Sequence, residues 1–214
     1  MYVPAHFKED RVPVLHDAIQ RIGFGTLVTS GSDGLEANHF PMLFEPEPGP
    51  LGALRGHMAR ANPQWRRIQP GAQPLAIFLG PNTYISPSWY PTKQQTGEVV
   101  PTWNYLTVHA YGELSFIHDA AELRDHVGKL TDIHEAGRPM PWAVSDAPDD
   151  YLKDMIRAIV GFKLVITRLE GKWKMSQNRP AQDMAGVREG LRREDGVDQR
   201  AVLDVMDKSG KPST

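Results

Sequence analysis

Near the start of the chain, five apolar residues have the spacing of one face of an α-helix: Val14, Leu15, Ala18, Ile19 and Ile22. Asp10 is a suitable N-cap for this predicted helix and Gly23 a suitable end. Two strand-forming runs, FGTLVTS and LEANHFPMLFEP, then flank the turn sequence GSDG. Residues 24–45 are therefore predicted to form a β-hairpin.

The middle of the chain is a series of short apolar runs instead of helical repeats. LGALRGHM, PLAIFLG, TYISPSWY and the stretch from Val99 to Ile117 each favour a strand. ANPQWRRI, which separates the first two, favours a short helical turn with Asn62 as its cap and Pro63 at its first position.

Helices return after residue 118. Asp119 is expected to begin a helix whose apolar positions are 123, 127, 130 and 133, and a second helix is expected from about Pro148 to Ile156. GFKLVITRLEGKWKMSQ favours two strands with a turn at Glu170 and Gly171. From Asn178 onward the pattern is helical again, with a break near EDG at 194–196, and the final KSGKPST is expected to fray.

These elements predict an α+β fold: an antiparallel β-barrel with helices packed outside and a C-terminal helical arm. Strand and helix do not alternate regularly, which excludes a doubly wound parallel sheet. We expect one domain over residues 1–187, followed by a helical arm and tail over 188–214.

Composition narrows the function classes. The 214 residues contain no cysteine, so disulfides, thiolate catalysis and cysteine-bound metals are excluded. No apolar run approaches the roughly 20 residues of a membrane span, and the first residues do not resemble a signal peptide, so the expected location is the cytoplasm. A net charge of −2 argues against direct DNA binding.

The charge is unevenly distributed. Residues 48–97 contain no Asp or Glu but include Arg55, Arg60, Arg66, Arg67 and Lys93. This interval is either a set of buried strands with few charges or a local positive field that attracts an anion.

Several common catalytic motifs are absent. The chain has no GxGxxG, Walker A, GxSxG or HExxH sequence. His126 and His134 lie about two helical turns apart and are expected to face solvent. No metal site is predicted, because acidic residues at ligand spacing are lacking around the histidines.

Four segments concentrate aromatic, hydroxyl, amide and cationic side chains: RGHMARANPQW, YISPSWYPTK, VPTWNY and GKWKMSQNRP. Cations and neutral donors suit a phosphate, whereas aromatic walls suit a flat ring. A nucleotide, FMN and pyridoxal phosphate all remain open, the last only if Lys93, Lys172 or Lys174 is desolvated. The alternative is that the tryptophans belong to the core and the lysines are solvated.

The same segments, together with MYVPAHF, GTLVTSGSDGLEANHFP, PWAVSD and IVGFKLVITRLEGKWKMSQNR, resemble the PaiB-type FMN-binding negative transcriptional regulators. The resemblance extends from Met1 to about Val187. It implies an FMN-binding split barrel, related to pyridoxamine-phosphate oxidases and flavin reductases, and a homodimer with FMN in the cleft between subunits.

The resemblance also implies site residues. His57, Arg60 and Asn62 are expected near the phosphate or ribityl chain, and Ser86, Ser88 and Trp89 on the next strand. The rest are Thr102, Trp103 and Asn104, on the edge facing the partner subunit, and Lys174, Gln177 and Asn178. Two functions stay open: a flavin-linked negative regulator that acts indirectly, and an FMN-dependent oxidoreductase acting on a small molecule.

Overall fold

The computed structural model describes residues 1–209, and its internal contacts divide the chain into two compact units. We call Ile19–Phe78 with Ala110–Leu169 the barrel unit. Met1–Ala18, Leu79–His109 and the described part of Glu170–Thr214 form the terminal unit. The expected domain boundary after residue 187 stays a prediction.

The strands are β1 Lys8–Glu9, β2 Phe24–Gly31, β3 Gly34–Glu45, β4 Ala53–Ala59, β5 Leu75–Ile85, β6 Thr102–Ile117 and β7 Ile159–Lys174. The α-helices are α1 Val12–Ile22, α2 Gln64–Arg67, α3 Thr92–Gln95, α4 Ala120–Glu135, α5 Asp149–Arg157, α6 Ala181–Glu194 and α7 Val197–Ser209. Short 3₁₀ helices cover Ala5–Phe7, Pro87–Trp89 and Val144–Asp146.

Six antiparallel strands close into a barrel. β2 hydrogen-bonds to β3 and β5, β4 to β3 and β7, and β6 to β5 and β7. The predicted hairpin is confirmed, with Gly31 opposite Gly34 at its turn.

Successive residues of β4 alternate between the two faces of the sheet. Leu54 and Met58 are buried, and a Cβ on Gly56 would lie 2.3 Å from the Phe162 ring.

Helices α4 and α5 pack against each other in the barrel unit. Asp119 caps α4 as predicted, accepting hydrogen bonds from the backbone N–H groups of Ala121 and Glu122. Leu123 joins a small apolar cluster with Val144, Leu152 and Ile156.

The two histidines of α4 differ in environment. The prediction that His126 faces solvent is wrong, because His126 lies three residues after Leu123 on the buried face of α4 and is 1% exposed. His134 is exposed, as predicted.

In the terminal unit, α6 and α7 pack against each other and are joined by Asp195 and Gly196. The helix α6 packs directly on Trp89. A Cβ on Gly190 would lie 2.2 Å from the indole ring, and a Cβ on Gly186 would lie 2.0 Å from the Trp89 carbonyl oxygen. These two glycines therefore permit a contact that any larger residue would prevent.

Two local predictions are corrected. The segment read as two strands with a turn at Glu170 and Gly171 is the single strand β7, because Gly171 and Lys172 pair with β1 in an unbroken ladder. TYISPSWY is only partly strand: β5 ends at Ile85, and Ser86 then caps a 3₁₀ turn.

Lys208 and Ser209, expected to fray, belong to α7, while residues 210–214 lie outside the described residues. Among the described helices, none is long and apolar enough to cross a membrane.

Candidate functional site

The start of β6 and the end of β7 bring four predicted site residues together in the terminal unit. The Lys174 ammonium donates hydrogen bonds to the Thr102 hydroxyl and, at 2.7 Å, to the backbone carbonyl of Trp103. The buried Asn104 accepts a 3.0 Å hydrogen bond from the Ser176 hydroxyl. Strand pairing thus places a lysine, a hydroxyl and an amide side by side.

Three cations, Lys172, Lys174 and Arg179, accumulate at this end of β7; we call them the cation cluster. Within residues 1–209, none of the three has a carboxylate within 4.0 Å. Lys172 donates to the carbonyl of Tyr2 and lies over the Tyr105 ring at 5.3 Å. Burial, reinforced by the charges of Lys172 and Arg179, lowers the pKa of Lys174. The cluster therefore carries positive charge that no acidic side chain balances.

Beside the cluster lies a buried hydroxyl. Tyr90 is 1% exposed, and its hydroxyl has no hydrogen-bond partner in the described part of the chain. The Arg179 guanidinium lies 5.0 Å from the centre of the Tyr90 ring. Burial raises the pKa of Tyr90, so the hydroxyl stays protonated and can donate. The charge of Arg179 opposes this shift, which places the guanidinium close to the Tyr90 hydroxyl.

An exposed aromatic pair stands at the same strand ends. The rings of Tyr84 on β5 and Trp103 on β6 meet edge-to-face, with centroids 6.3 Å apart. Trp103 is 53% exposed although its own carbonyl accepts from Lys174. Such a pair offers the wall that a flat ring requires.

The other predicted residues of the terminal unit have structural contacts. Ser86 caps the 3₁₀ turn, and the Ser88 hydroxyl accepts a long 3.4 Å hydrogen bond from Lys93. Trp89 is buried against α6. The Gln177 amide accepts from the N–H of Met175 at 2.6 Å, which fixes the turn after β7. Asn178 is exposed.

The remaining three predicted residues belong to the barrel unit. His57 hydrogen-bonds to His126, with 3.1 Å between Nδ1 of His57 and Nε2 of His126. The Arg60 guanidinium donates to the carbonyls of Arg157 and Ile159, each at 2.7 Å. The Asn62 side chain accepts from the N–H of Gln64 at 2.9 Å, which is the capping role expected of it. All three side chains are thus engaged within the barrel unit, and their role in cofactor binding stays a prediction.

The charge of the acid-free interval is compensated only in part. Acids from elsewhere in the sequence pair with two of its arginines: Glu45 and Glu122 lie 3.4 and 3.2 Å from Arg55, and Asp33 lies 3.6 Å from Arg67. Within residues 1–209, Arg60, Arg66 and Lys93 have no carboxylate within 4.0 Å. A second set of cations without a carboxylate partner follows Glu170, in GKWKMSQNRP. Arg179 belongs to that segment, but the sequence did not indicate that this arginine would pack on the distant Tyr90.

These groups fit FMN chemically. Lysine and arginine side chains suit its phosphate, and the exposed Tyr84–Trp103 pair suits its ring. When bound, FMN supplies hydride or single-electron transfer. These side chains would bind and orient it. Among the described residues, no group of three or more His, Asp or Glu is arranged to hold a metal ion.

Comparison with known proteins agrees with this chemistry. Residues 1–168 match the family described as "Putative FMN-binding domain". Over 97% of both chains, the sequence is 32% identical to "Protease synthase and sporulation protein PAI 2" of Bacillus subtilis. It is also 35% identical to an uncharacterized protein of Aspergillus fumigatus, covering 89% of this chain and 90% of the relative.

The fold has solved counterparts. A protein of Mycobacterium smegmatis, described as binding FAD and haem, superposes with a TM-score of 0.56 over 78% of this chain and 73% of its own. At 16% identity this likeness concerns the fold alone, and it identifies the barrel as the flavin-binding split barrel predicted from the sequence. The family match over residues 1–168 and the similarity to the Bacillus relative show that the chain belongs to the PaiB-type family of FMN-binding split-barrel proteins.

Proposed function

We propose that this protein is a flavin-linked negative regulator that binds FMN at the cation cluster and acts on transcription indirectly. The observation that carries the FMN site is the set of three cations, Lys172, Lys174 and Arg179, without a carboxylate partner in the described chain. An uncompensated cluster of this kind is stabilised by a phosphate, which accepts several charge-assisted hydrogen bonds at once.

The regulatory part of the proposal draws on the Bacillus relative, whose name refers to protease synthesis and sporulation. Indirect action is supported by the helical arm. Arg188 pairs with Asp207 at 3.0 Å, Arg200 with Asp195 at 3.0 Å, and Lys208 with Asp204 at 2.6 Å. Cations that are already paired with acids of the arm itself are poorly suited to neutralising DNA phosphates.

Assembly and location complete the proposal. We propose a homodimer in the cytoplasm, with the partner subunit contributing to the FMN cleft. Exposed apolar side chains in the terminal unit support a subunit contact, among them Leu79, Tyr84, Val100 and Trp103.

The first test is spectroscopic. We expect the purified chain to bind FMN with a change in flavin absorbance and fluorescence, and to bind riboflavin at least tenfold more weakly, because riboflavin lacks the phosphate. Equal affinities would contradict the role of the cation cluster.

NADH or NADPH is then added to the loaded protein, with and without oxygen. A regulator without turnover leaves the flavin oxidised for many minutes. Rapid bleaching, with reoxidation in air, would instead favour the alternative function of an FMN-dependent oxidoreductase.

A further inference from the structure

The His57–His126 contact lies in the barrel unit, and neither residue belongs to the cation cluster. His57 lies on β4 and His126 on α4, and their rings meet edge-on with centroids 5.2 Å apart. The 3.1 Å distance between Nδ1 of His57 and Nε2 of His126 requires that one of these atoms donates and the other accepts. Two neutral imidazoles satisfy this requirement. Two imidazolium rings cannot, because both facing atoms would then be donors.

The charged groups around the pair come from four elements. Arg55 lies on β4, Glu45 on β3 and Lys163 on β7, while α4 contributes Glu122, Asp125 and Lys129. The carboxylates already have cationic partners. Glu45 pairs with both Arg55 and Lys163, Glu122 pairs with Arg55, and Asp125 pairs with Lys129 at 2.8 Å.

Within residues 1–209, no carboxylate forms a hydrogen bond with either ring. Nδ1 of His126 is buried without a partner in the described residues, and so is Nε of Arg55. A first added proton can preserve the bond between the rings, but it adds a positive charge to a buried pair that already lies in the field of Arg55. A second proton removes the bond between the rings. Both steps oppose the docking of α4 on β4.

We propose that His57 and His126 form an acid-sensitive latch that holds α4 against β4 when both rings are neutral and releases it when the pair is protonated. Leu123 of α4 also packs with Leu152 and Ile156 of α5, and Ile117 of β6 and Ile159 of β7 pack against this cluster, so the latch adds to an apolar contact that does not titrate.

The direction of the pH dependence follows from the environment of the rings. Burial, then the charges of His57 and Arg55, lower the pKa of His126 to about 4, and burial lowers the pKa of His57 as well. When α4 is released, the imidazoles regain their ordinary pKa near 6.5, so the released state binds more protons between about pH 6.5 and 4. The latch is therefore closed above pH 6.5 and weakens as the pH falls through this window.

Hydrogen exchange measured by mass spectrometry on the full chain tests the latch. After correction for intrinsic exchange, we expect the opening equilibrium of α4 to rise between pH 6.5 and 4, by up to about tenfold per pH unit for each imidazole that gains a proton on release. Helix α6, followed in the same samples, provides the internal reference and is expected to change less. An α4 protection that is independent of pH would overturn the proposal.

Two variants assign the effect to the buried ring. His126→Leu removes the ring with the lowest pKa and should flatten the pH response of α4 protection, leaving the smaller contribution of His57. His134→Gln changes an exposed histidine of the same helix and should retain the parent's response. The proposal fails if His126→Leu responds like the parent, or if His134→Gln abolishes the response.

A third measurement does not depend on the folding of a variant. In the parent protein, NMR titration of the histidine Cε1 protons should show one ring that protonates well below pH 6.5, in step with the opening of α4. If every histidine titrates near its ordinary pKa, the latch does not exist.

Discussion

At the residue scale, Lys174 connects the sequence to the chemistry most directly. Its ammonium has only neutral partners, the Thr102 hydroxyl and the Trp103 carbonyl, and it shares a small region with Lys172 and Arg179. An anion would supply the partner that no carboxylate of the described chain provides. The prediction that KWKM faces a phosphate thus has a specific atom, Nζ of Lys174, on which it can be tested.

We expect Lys174→Ala to weaken FMN binding by about 10- to 100-fold, because a hydrogen bond to a charged group contributes about 1.5–3 kcal/mol and each decade of affinity corresponds to about 1.4 kcal/mol. Isothermal titration or fluorescence quenching measures the effect. Arg192→Ala is the control, since this exposed arginine on α6 lies 4.0 Å from Glu189. If Arg192→Ala weakens binding while Lys174→Ala does not, the cofactor site lies elsewhere.

Individual residues also show how far sequence reasoning extends. The family resemblance grouped Thr102, Trp103, Asn104 and Lys174 in one site, whereas the pairing of β6 with β7 that brings them together is seen only in the structure. The partner of His57 was not predictable, because 69 residues separate His57 from His126 and helical periodicity did not assign the latter to the buried face. The sequence likewise gives no sign that the hydroxyl of Tyr90 would be buried without a partner.

At the element scale, α6 fixes the loop that carries Ser86 and Ser88. Trp89 packs against Gly186 and Gly190, and the buried Asp183 accepts hydrogen bonds from the N–H and the hydroxyl of Thr92 at 3.1 and 2.8 Å. The arm is therefore part of the packed structure of the terminal unit.

Strands and helices were predicted well where their periodicity was strong, as in α1, α4 and the β2–β3 hairpin. The Glu170–Gly171 pair of β7 was mistaken for a turn because its pairing with β1 is a long-range contact.

Replacing glycine by alanine should lower the stability of the protein at Gly190 in α6 and raise it at Gly128 in α4. Gly190→Ala places a methyl group 2.2 Å from the Trp89 ring, so we expect a loss of about 1–3 kcal/mol in the free energy of unfolding. Gly128→Ala in α4 is the matched control, because its methyl group would meet no atom within 4 Å, and helix propensity should add about 0.5–1 kcal/mol.

Thermal or urea unfolding distinguishes these outcomes. Gly190→Ala should melt about 2–12 °C below the parent and Gly128→Ala slightly above it. Equal melting temperatures for Gly190→Ala and the parent would show that α6 does not depend on its close contact with Trp89.

At the scale of the whole molecule, the exposed apolar residues of the terminal unit favour self-association. Light scattering should report about 48 kDa, which is twice the 23.9 kDa of the chain. Trp103→Glu should shift the protein toward a monomer, because it places a charge among exposed apolar side chains, whereas Tyr151→Glu changes an exposed aromatic residue of the barrel unit and should not. A monomer at micromolar concentration would contradict a cofactor cleft shared between subunits.

The continuity of β7 has a practical consequence for producing this protein in pieces. The family match ends at residue 168, in the middle of a strand that runs unbroken from Ile159 to Lys174. A truncated chain of residues 1–168 would leave Lys8 and Glu9 without their pairing partners Lys172 and Gly171 and would lack all three cations of the cluster. Expressing the matched segment alone would therefore yield a fragment with a severed strand, and its failure to bind flavin would say nothing about the intact protein.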